Sequence, residues 1–255
     1  MTLLEELKLF IKSILHWIYA LIGFSFFFFL FGLRTVTVFG REVTVPFVSE
    51  HSFAVQFFKM IQRDVLPPNV DLIATNPMSG FITQLEVAIA LAFIALFPFF
   101  LYRIMRYISP ALFEHEKRAI IKSLVLSTIL FALGCLFAYL YLIPLTFKFM
   151  YPFTTVLGVV PFFAVDAFIV WVIGMLLATG TAFLLPVLMV MLSSLGIVSP
   201  DFWKSKWRHA FAFLLIFSAV ITPDQTGATM GLLFVPLAVL YATGSLLAGK
   251  SVEGR

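Results

Sequence analysis

The sequence predicts an all-α, polytopic integral membrane protein with six transmembrane helices in a single domain. Three observations lead to this fold class. Hydrophobic residues form 62% of the 255-residue chain and charged residues only 12%, against about 25% in an ordinary soluble domain. The mean hydropathy is +1.06. Six apolar runs alternate with short polar segments, which excludes a soluble globular protein.

Four of the runs are long enough to cross a bilayer, whose hydrocarbon core takes about 20 helical residues. They span 11–33, 81–102, 120–143 and 167–195. The first run is longer than the apolar part of a signal peptide and is not followed by a small-residue cleavage site. We therefore expect it to be retained as a helix.

The last two runs, 210–222 and 228–248, are predicted to form a shorter hairpin. Only the string PDQTG separates them, and its proline, aspartate and glycine favour a turn, which we place at 223–227 outside the membrane. The single domain covers 1–250. The tail 251–255 is either native or was added during cloning.

Polar segments connect the spans. An external cap is expected at 34–80, where the alternation in TVTVFGREVTV predicts a hairpin around Gly40 and a polar helical stretch follows. Cytoplasmic loops are expected at 103–119 and 196–209.

The distribution of basic residues predicts the orientation of the chain in the membrane. Twelve fall on the side of the termini: Lys8, Lys12, Arg103, Arg106, Lys117, Arg118, Lys122, Lys204, Lys206, Arg208, Lys250 and Arg255. Five fall opposite: Arg34, Arg41, Lys59, Arg63 and Lys148. Because cytoplasmic segments are enriched in lysine and arginine, we expect both termini in the cytoplasm.

Composition also limits the chemistry. The net charge of +4 comes from scattered residues that form no continuous patch for nucleic acid. The single cysteine, Cys135, cannot form an intrachain disulfide and is expected in the core. No histidine or cysteine cluster has metal-ligand spacing, and no glycine loop has phosphate-binding spacing. We expect neither an enzyme nor a bound cofactor.

The densest charge cluster is SPALFEHEKRA, residues 109–119. Ser109 and Pro110 suit the N-cap and first turn of a short helix that carries Glu114 and Glu116. On charge pattern alone, a solvated loop whose acids neutralise the two basic residues that follow also accounts for the cluster.

Two stretches around this cluster carry a family resemblance. FPFFLYRIMRYISPALFEHEKRA (97–119) and LFALGCLFAYLYLIPLTFKF (130–149) resemble TatC, the multispanning subunit of the twin-arginine protein translocase. The matching positions are Pro98, Pro110, Ala111, Leu112, His115, Glu116, Phe137, Ala138, Tyr139, Pro144 and Leu145.

The resemblance extends over most of the chain. In LLEELK (3–8), Glu6 takes the place of the family's glutamate and Lys8 that of its arginine. Further similar segments are LIATNPMSGF (72–81), GIVSPDFWKSKWRHA (196–210) and ITPDQ (221–225).

The resemblance implies a receptor in the inner, or cytoplasmic, membrane. Proteins similar to TatC bind the twin-arginine signal peptides of folded proteins at the cytoplasmic face. They recruit single-span TatA/TatB-type subunits, associate with one another in a receptor complex, and support export driven by the proton-motive force.

Carboxylates are the expected partners of two consecutive arginines, because guanidinium groups pair bidentately with them. The resemblance gives this role to Glu116 and Glu6, and apolar walls are expected beside them. The predicted signal-peptide-binding residues are Glu116, Glu6, Glu114, His115, Phe113, Tyr107 and Lys8.

The chain also departs from the family pattern. Many relatives have a glutamate where Leu184 stands, so a mechanism that needs that carboxylate is in doubt here. Glu86 lies about five residues into the second span, where relatives tend to have lysine, and is either functional or at the outer interface. Arg103 is expected to snorkel to the cytoplasmic interface. The expected structural or partner-facing residues are Pro98, Pro110, Asp224 and Glu86.

Two other classes of membrane protein were compared with the same residues. A rhomboid-type protease needs a serine in a Gly-x-Ser-Gly setting with a histidine. The nearest string, GFSF (23–26), lacks the second glycine, and no catalytic pair is evident. A secondary transporter needs internal repeats around a midplane polar site. Prolines occur in three spans, at Pro98, Pro186 and Pro236, but we find no repeat, and we expect these prolines to bend the helices into a docking surface.

Overall fold

The structure is a computed structural model. It describes residues 3–38, 41–48, 51–66, 70–108, 116–156, 158, 162–222 and 227–253. The chain divides into two compact units, one formed by 1–124 with 162–173 and the other by 125–161 with 174–255.

Ten α-helices and four short strands form the described part of the chain. The helices are α1 (Leu3–Leu30), α2 (Phe53–Val65), α3 (Ser79–Ile108), α4 (Glu116–Phe137), α5 (Ile143–Val156), α6 (Val165–Ala182), α7 (Leu185–Ser194), α8 (Pro200–Ser205), α9 (Trp207–Ile221) and α10 (Ala228–Glu253). The strands are β1 (Phe31–Val38), β2 (Arg41–Val48), β3 (Asp71–Ile73) and β4 (Phe162–Ala164).

Four helical segments of the described residues are long and apolar enough to cross a bilayer: Ser79–Ile104, Ser123–Thr154, Val165–Ser194 and Ala228–Lys250. Two shorter apolar helices, Ile14–Leu30 and Trp207–Ile221, accompany them. Each of the six predicted runs coincides with one of these segments. The all-α membrane class is therefore confirmed, with four full-length spans and two shorter apolar helices.

The first run ends earlier than predicted, because the chain changes to a strand at Phe31. β1 and β2 form the expected antiparallel hairpin, with Phe31 opposite Val48 and Val38 opposite Arg41. A Cβ at Gly32 would overlap the backbone carbonyl of His51. Glycine is therefore required where the hairpin leaves the first helix.

In the first unit, α3 packs against both α1 and α2. Gln84 of α3 donates one hydrogen bond to the carbonyl of Phe29, at 3.2 Å, and another to Ser52 Oγ, at 3.0 Å. Ser52 is also the N-cap of α2, where its side chain accepts from the backbone N–H of Val55. One side chain of α3 thus joins α1, α3 and the start of α2. In the same unit, β3 pairs in parallel with β4.

The third predicted run, 120–143, continues as a helix far beyond its expected end. Residues Ala138–Leu142 form a π-helical turn between α4 and α5, in which the N–H of Ile143 donates to the carbonyl of Ala138. Proline within a regular helix collides with the carbonyl four residues earlier. The wider turn directly before Pro144 relieves this clash, and the helix continues to Val156.

The fourth run is interrupted at Phe183–Leu184, between α6 and α7. Leu184 donates its N–H to the carbonyl of Thr181 at 3.1 Å, a tighter turn than the α-helix makes. Pro186 lies in the first turn of α7, where it is well tolerated. The predicted bend near this proline thus occurs two to three residues before it.

In the second unit, α8 is attached to two longer helices. Trp203 Nε1 donates to Ser193 Oγ of α7 at 2.9 Å, and Tyr241 Oη of α10 donates to the carbonyl of Trp203 at 2.7 Å. The predicted loop 196–209 therefore contains a helix with a fixed position on α7 and α10. Of the predicted short hairpin, α9 has 15 residues and α10 has 26.

Candidate functional site

α1 and α3 form an antiparallel pair, which determines which of their residues share an end. Phe29 of α1 contacts Phe81 of α3, with ring centroids 5.5 Å apart. Trp17 contacts Phe100, with centroids 4.8 Å apart. The start of α1 therefore lies at the same end of the pair as the end of α3.

Three predicted site residues lie at this end. Glu6 and Lys8 belong to the first turns of α1, and Tyr107 to the last turn of α3. Their backbones are described, whereas their side chains lie outside the described part of the structure. The helix pair thus brings the three positions to one end although about 100 residues separate them in the chain.

Glu116 is the first residue of α4. A helix N-terminus carries a positive partial charge that stabilises a carboxylate. Residues 109–115 connect it to α3 and lie outside the described residues. The predicted residues in that connection are Pro110, Phe113, Glu114 and His115. Asp224, in the turn predicted to be external, likewise lies outside the described part.

Pro98 and Arg103 lie in the second half of α3. The helix continues through Pro98, and the neighbouring Phe97 and Phe100 form part of the aromatic cluster around Trp17. The Arg103 guanidinium lies 4.9 Å from the centroid of the Phe99 ring, one residue before the end of the apolar segment. This position agrees with an arginine that extends towards the bilayer interface.

Glu86 lies at the opposite end of α3, within the spanning segment Ser79–Ile104. Its Oε2 is buried and has no hydrogen-bond partner. The sequence left open whether Glu86 reaches the outer interface. One of its two carboxylate oxygens is shielded within the first unit, and the role of Glu86 stays a prediction.

Comparison with known proteins identifies the family. The family model for TatC, described as Sec-independent protein translocase protein (TatC), matches residues 3–236. The chain belongs to the TatC family. It is a Sec-independent protein translocase subunit and a multi-pass membrane protein, as the resemblance implied.

Relatives of the TatC-family chain come from distant organisms. The protein named Sec-independent protein translocase protein TatC in Aquifex aeolicus is 35% identical over 202 residues, covering 78% of this chain and 82% of that protein. Its namesake in Cenarchaeum symbiosum is 32% identical over 200 residues, covering 78% and 76%.

Two solved TatC structures share the fold. The one described as "Crystal Structure of Twin Arginine Translocase Receptor- TatC" has a TM-score of 0.76 and 29% identity, and the match covers 97% of this chain and 99% of that chain. The second, of TatC in DDM, has a TM-score of 0.77 and 29% identity, covering 95% and 99%.

The TatC-family chain has no carboxylate at the kink of its fourth span. Leu184 is the N-cap residue of α7 and is buried. Nearby Thr179 of α6 is fully buried, and its hydroxyl has no hydrogen-bond partner. The polar side chains next to the kink are therefore the hydroxyl groups of Thr179 and Thr181.

Sequence reasoning missed two features of the TatC-family chain. Asp166, in the first turn of α6, lies one residue before the predicted run 167–195, and its Oδ1 is buried without a hydrogen-bond partner. The contacts of Trp203 with Ser193 and Tyr241 were also missed. The signal available for Asp166 was an ionisable residue directly before an apolar run. Among the described residues, no group of three or more His, Cys, Asp or Glu side chains is placed to hold a metal ion.

Proposed function

We propose that this TatC-family chain is the receptor for twin-arginine signal peptides of folded proteins. It binds them at the cytoplasmic face of the inner membrane, where both termini lie, and recruits single-span TatA/TatB-type subunits for export driven by the proton-motive force. The observation that carries the proposal is the match over 97% of the chain to a solved structure described as a twin-arginine translocase receptor.

The antiparallel α1–α3 pair supports this proposal. Glu6 and Tyr107 lie at the same end of the pair, and Glu116 begins the next helix after residues 109–115. In this proposal the carboxylates of Glu6 and Glu116 receive two consecutive guanidinium groups, which bind carboxylates through paired N–H donors. Twelve of the seventeen lysines and arginines fall on the side of the membrane assigned to the termini, which agrees with a cytoplasmic location.

Ion pairs alone do not account for binding. An exposed pair contributes about 0.2–1 kcal/mol, whereas micromolar affinity takes about 8 kcal/mol. α1 offers an apolar strip next to its charged end, in which Leu15, Tyr19 and Ile22 are exposed and recur at the spacing of one helix face. Burial of the signal's apolar segment there would supply about 25 cal/mol per Å², and the carboxylates would fix register and specificity.

The test is site-specific photocrosslinking in membranes. A photoreactive residue replaces Glu116, Glu6 or Phe113, and the labelled signal peptide carries either Arg-Arg or Lys-Lys. Asp71, exposed on β3 of the external cap, provides the control position on the opposite side of the membrane.

We expect crosslinks from all three positions to the Arg-Arg peptide, weaker ones to the Lys-Lys peptide, and none from Asp71. Equal labelling by both peptides would show that these positions do not read the arginines. Absence of labelling from a folded, inserted chain would contradict the receptor function and favour a secondary transporter.

A further inference from the structure

A basic residue of the short helix α8 lies against the end of the last span. The spanning segment of α10 ends at Lys250. The Nζ atom of Lys204, on α8, lies 3.7 Å from the position that a Cβ would occupy at Gly249, the residue directly before Lys250. The Lys204 ammonium group is therefore at the level where the apolar part of α10 ends.

Two hydrogen bonds hold the backbone of α8 beside α10. Trp203, the neighbour of Lys204, donates from Nε1 to Ser193 Oγ of α7 at 2.9 Å. Its carbonyl accepts a hydrogen bond from Tyr241 Oη of α10 at 2.7 Å. A ligand that binds Lys204 at the end of α10 thus meets a backbone that is already in position, which lowers the cost of binding.

The start of α9 adds two basic residues on either side of an aromatic ring. Lys206 and Arg208 are exposed and flank Trp207, which is also exposed. The Arg208 guanidinium carbon lies 5.5 Å from the centroid of the Trp207 ring. α9 packs against α10 as the first half of a hairpin, so its start and the end of α10 lie on the same side. Tryptophan beside lysine and arginine is typical of the lipid headgroup region.

The positive charge of this basic surface, which consists of Lys204, Lys206, Arg208 and Lys250, exceeds the negative charge beside it. Two acidic residues belong to the same segments, the exposed Asp201 of α8 and Glu253 at the end of α10. Within the described part of the chain, no ion pair joins the basic surface to an acidic side chain. The surface therefore favours a ligand with negative charge.

An apolar contact lies next to the basic surface. Leu246 is 63% exposed and precedes Lys250 by four residues, which places both on one face of α10. Leu247 is exposed as well. A ligand with a negative group and an attached hydrocarbon chain uses both features, whereas a free anion uses only the charge.

We propose that the basic surface binds the phosphate group of an anionic phospholipid. Lys204 and Lys250 donate to the phosphate oxygens, and an acyl chain lies along Leu246. Ammonium groups are common partners of phosphate, and basic residues next to a bilayer attract anionic lipids. The site is separate from the proposed signal-peptide site, and the proposal does not depend on the receptor function.

The test counts the lipids that the full-length chain retains in detergent, by native mass spectrometry. Phosphatidylglycerol and phosphatidylcholine with identical acyl chains are added in equal amounts, so that only the headgroup differs. The variants are Lys204→Gln and Lys250→Gln, and Lys204→Arg preserves the charge. The matched control is Lys59→Gln, which removes an exposed lysine of α2. The unfolding temperature of each variant verifies that it is folded.

We expect the wild type to retain phosphatidylglycerol in preference to phosphatidylcholine. Lys204→Gln and Lys250→Gln should each lower this preference about fivefold, the usual contribution of one basic residue near an anionic surface. Lys204→Arg and Lys59→Gln should retain it. Glycerol phosphate, which has the phosphate but no acyl chain, should not displace the lipid.

Three outcomes would overturn the proposal. The first is a wild type that retains the two lipids equally, and the second is a loss of preference in Lys59→Gln as large as that in Lys204→Gln. The third is displacement of phosphatidylglycerol by an equal concentration of glycerol phosphate, which would indicate a site for a soluble anion.

Discussion

Gly32 shows how a missing side chain allows two backbone segments to approach each other closely. A Cβ at this position would overlap the carbonyl oxygen of His51 and crowd the Cα of Ser52. Because both of these atoms belong to the backbone, a side-chain rotation cannot relieve the clash. The glycine is therefore a condition for bringing the β1–β2 hairpin against the start of α2.

We expect Gly32→Ala to lower the free energy of unfolding by about 1–3 kcal/mol, the usual cost of overpacking. Thermal unfolding of the purified protein in detergent measures it. Gly23→Ala is the control, because a Cβ at Gly23 meets nothing within 4 Å and alanine favours a helix. A Gly32→Ala variant as stable as Gly23→Ala would disprove the close approach to His51.

At the scale of elements, α6 has one glycine in close contact with a neighbouring helix and another with open space around it. A Cβ at Gly180 would lie 2.6 Å from Cys135 Sγ and 2.9 Å from the ring of Phe131, both on α4. Gly174, in the same helix, has nothing within 4 Å. Small residues at such contacts allow membrane helices to approach closely.

We expect Gly180→Ala to destabilise the protein by about 1–3 kcal/mol through this overlap. Gly174→Ala should be neutral or stabilising by up to about 1 kcal/mol, because alanine is the better helix former. The unfolding temperatures of the two variants, compared in one detergent, provide the measurement. Equal destabilisation by both would show that the contact between α4 and α6 is not tight.

The short helix α8 depends on hydrogen bonds more than on its own length, since six residues alone do not form a stable helix. Trp203→Phe removes the bond to Ser193 Oγ and should cost about 0.5–1.5 kcal/mol. A double-mutant cycle with Ser193→Ala measures the coupling between the two side chains, which should have the same size. Trp207→Phe, which changes an exposed ring, should have little effect, and zero coupling would contradict the bond.

At the scale of the whole molecule, the proposed orientation can be tested by labelling. Ser205→Cys on α8 should react with a membrane-impermeant maleimide from the cytoplasmic side, and Asp71→Cys on β3 from the outside, because both positions are exposed. The native Cys135 is buried in a span and should remain unlabelled. Reaction of both introduced cysteines from the same side would refute the topology.

The spans were predictable because apolar length is a local property of the sequence. The hairpin around Gly40 was predictable for a similar reason, since alternating valine and threonine favour a strand. In contrast, the continuation of the helix beyond Pro144 depends on a π-helical turn that no local pattern indicates. Proline statistics alone favour an end at that point.

The candidate site was predicted only in part. Glu6 and Glu116 were proposed from motifs and stay predictions, and the α1–α3 pairing agrees with a common location for Glu6 and Tyr107. The pairing of β3 with β4, which brings the starts of α3 and α6 close together, was not predictable. Residues that meet through tertiary structure leave no periodic signal in the sequence.

The pairing of β3 with β4 also determines how late in synthesis β3 can become ordered. The strands are roughly 90 residues apart, and ribosomes add about 5–20 residues per second. β3 therefore waits roughly 5–20 s for its partner, and three residues cannot form a sheet by themselves. β3 gains its partner only once the start of the fourth span has been made, so a nascent chain arrested before Phe162 should be cleaved by proteases near 71–73, where the finished protein resists them.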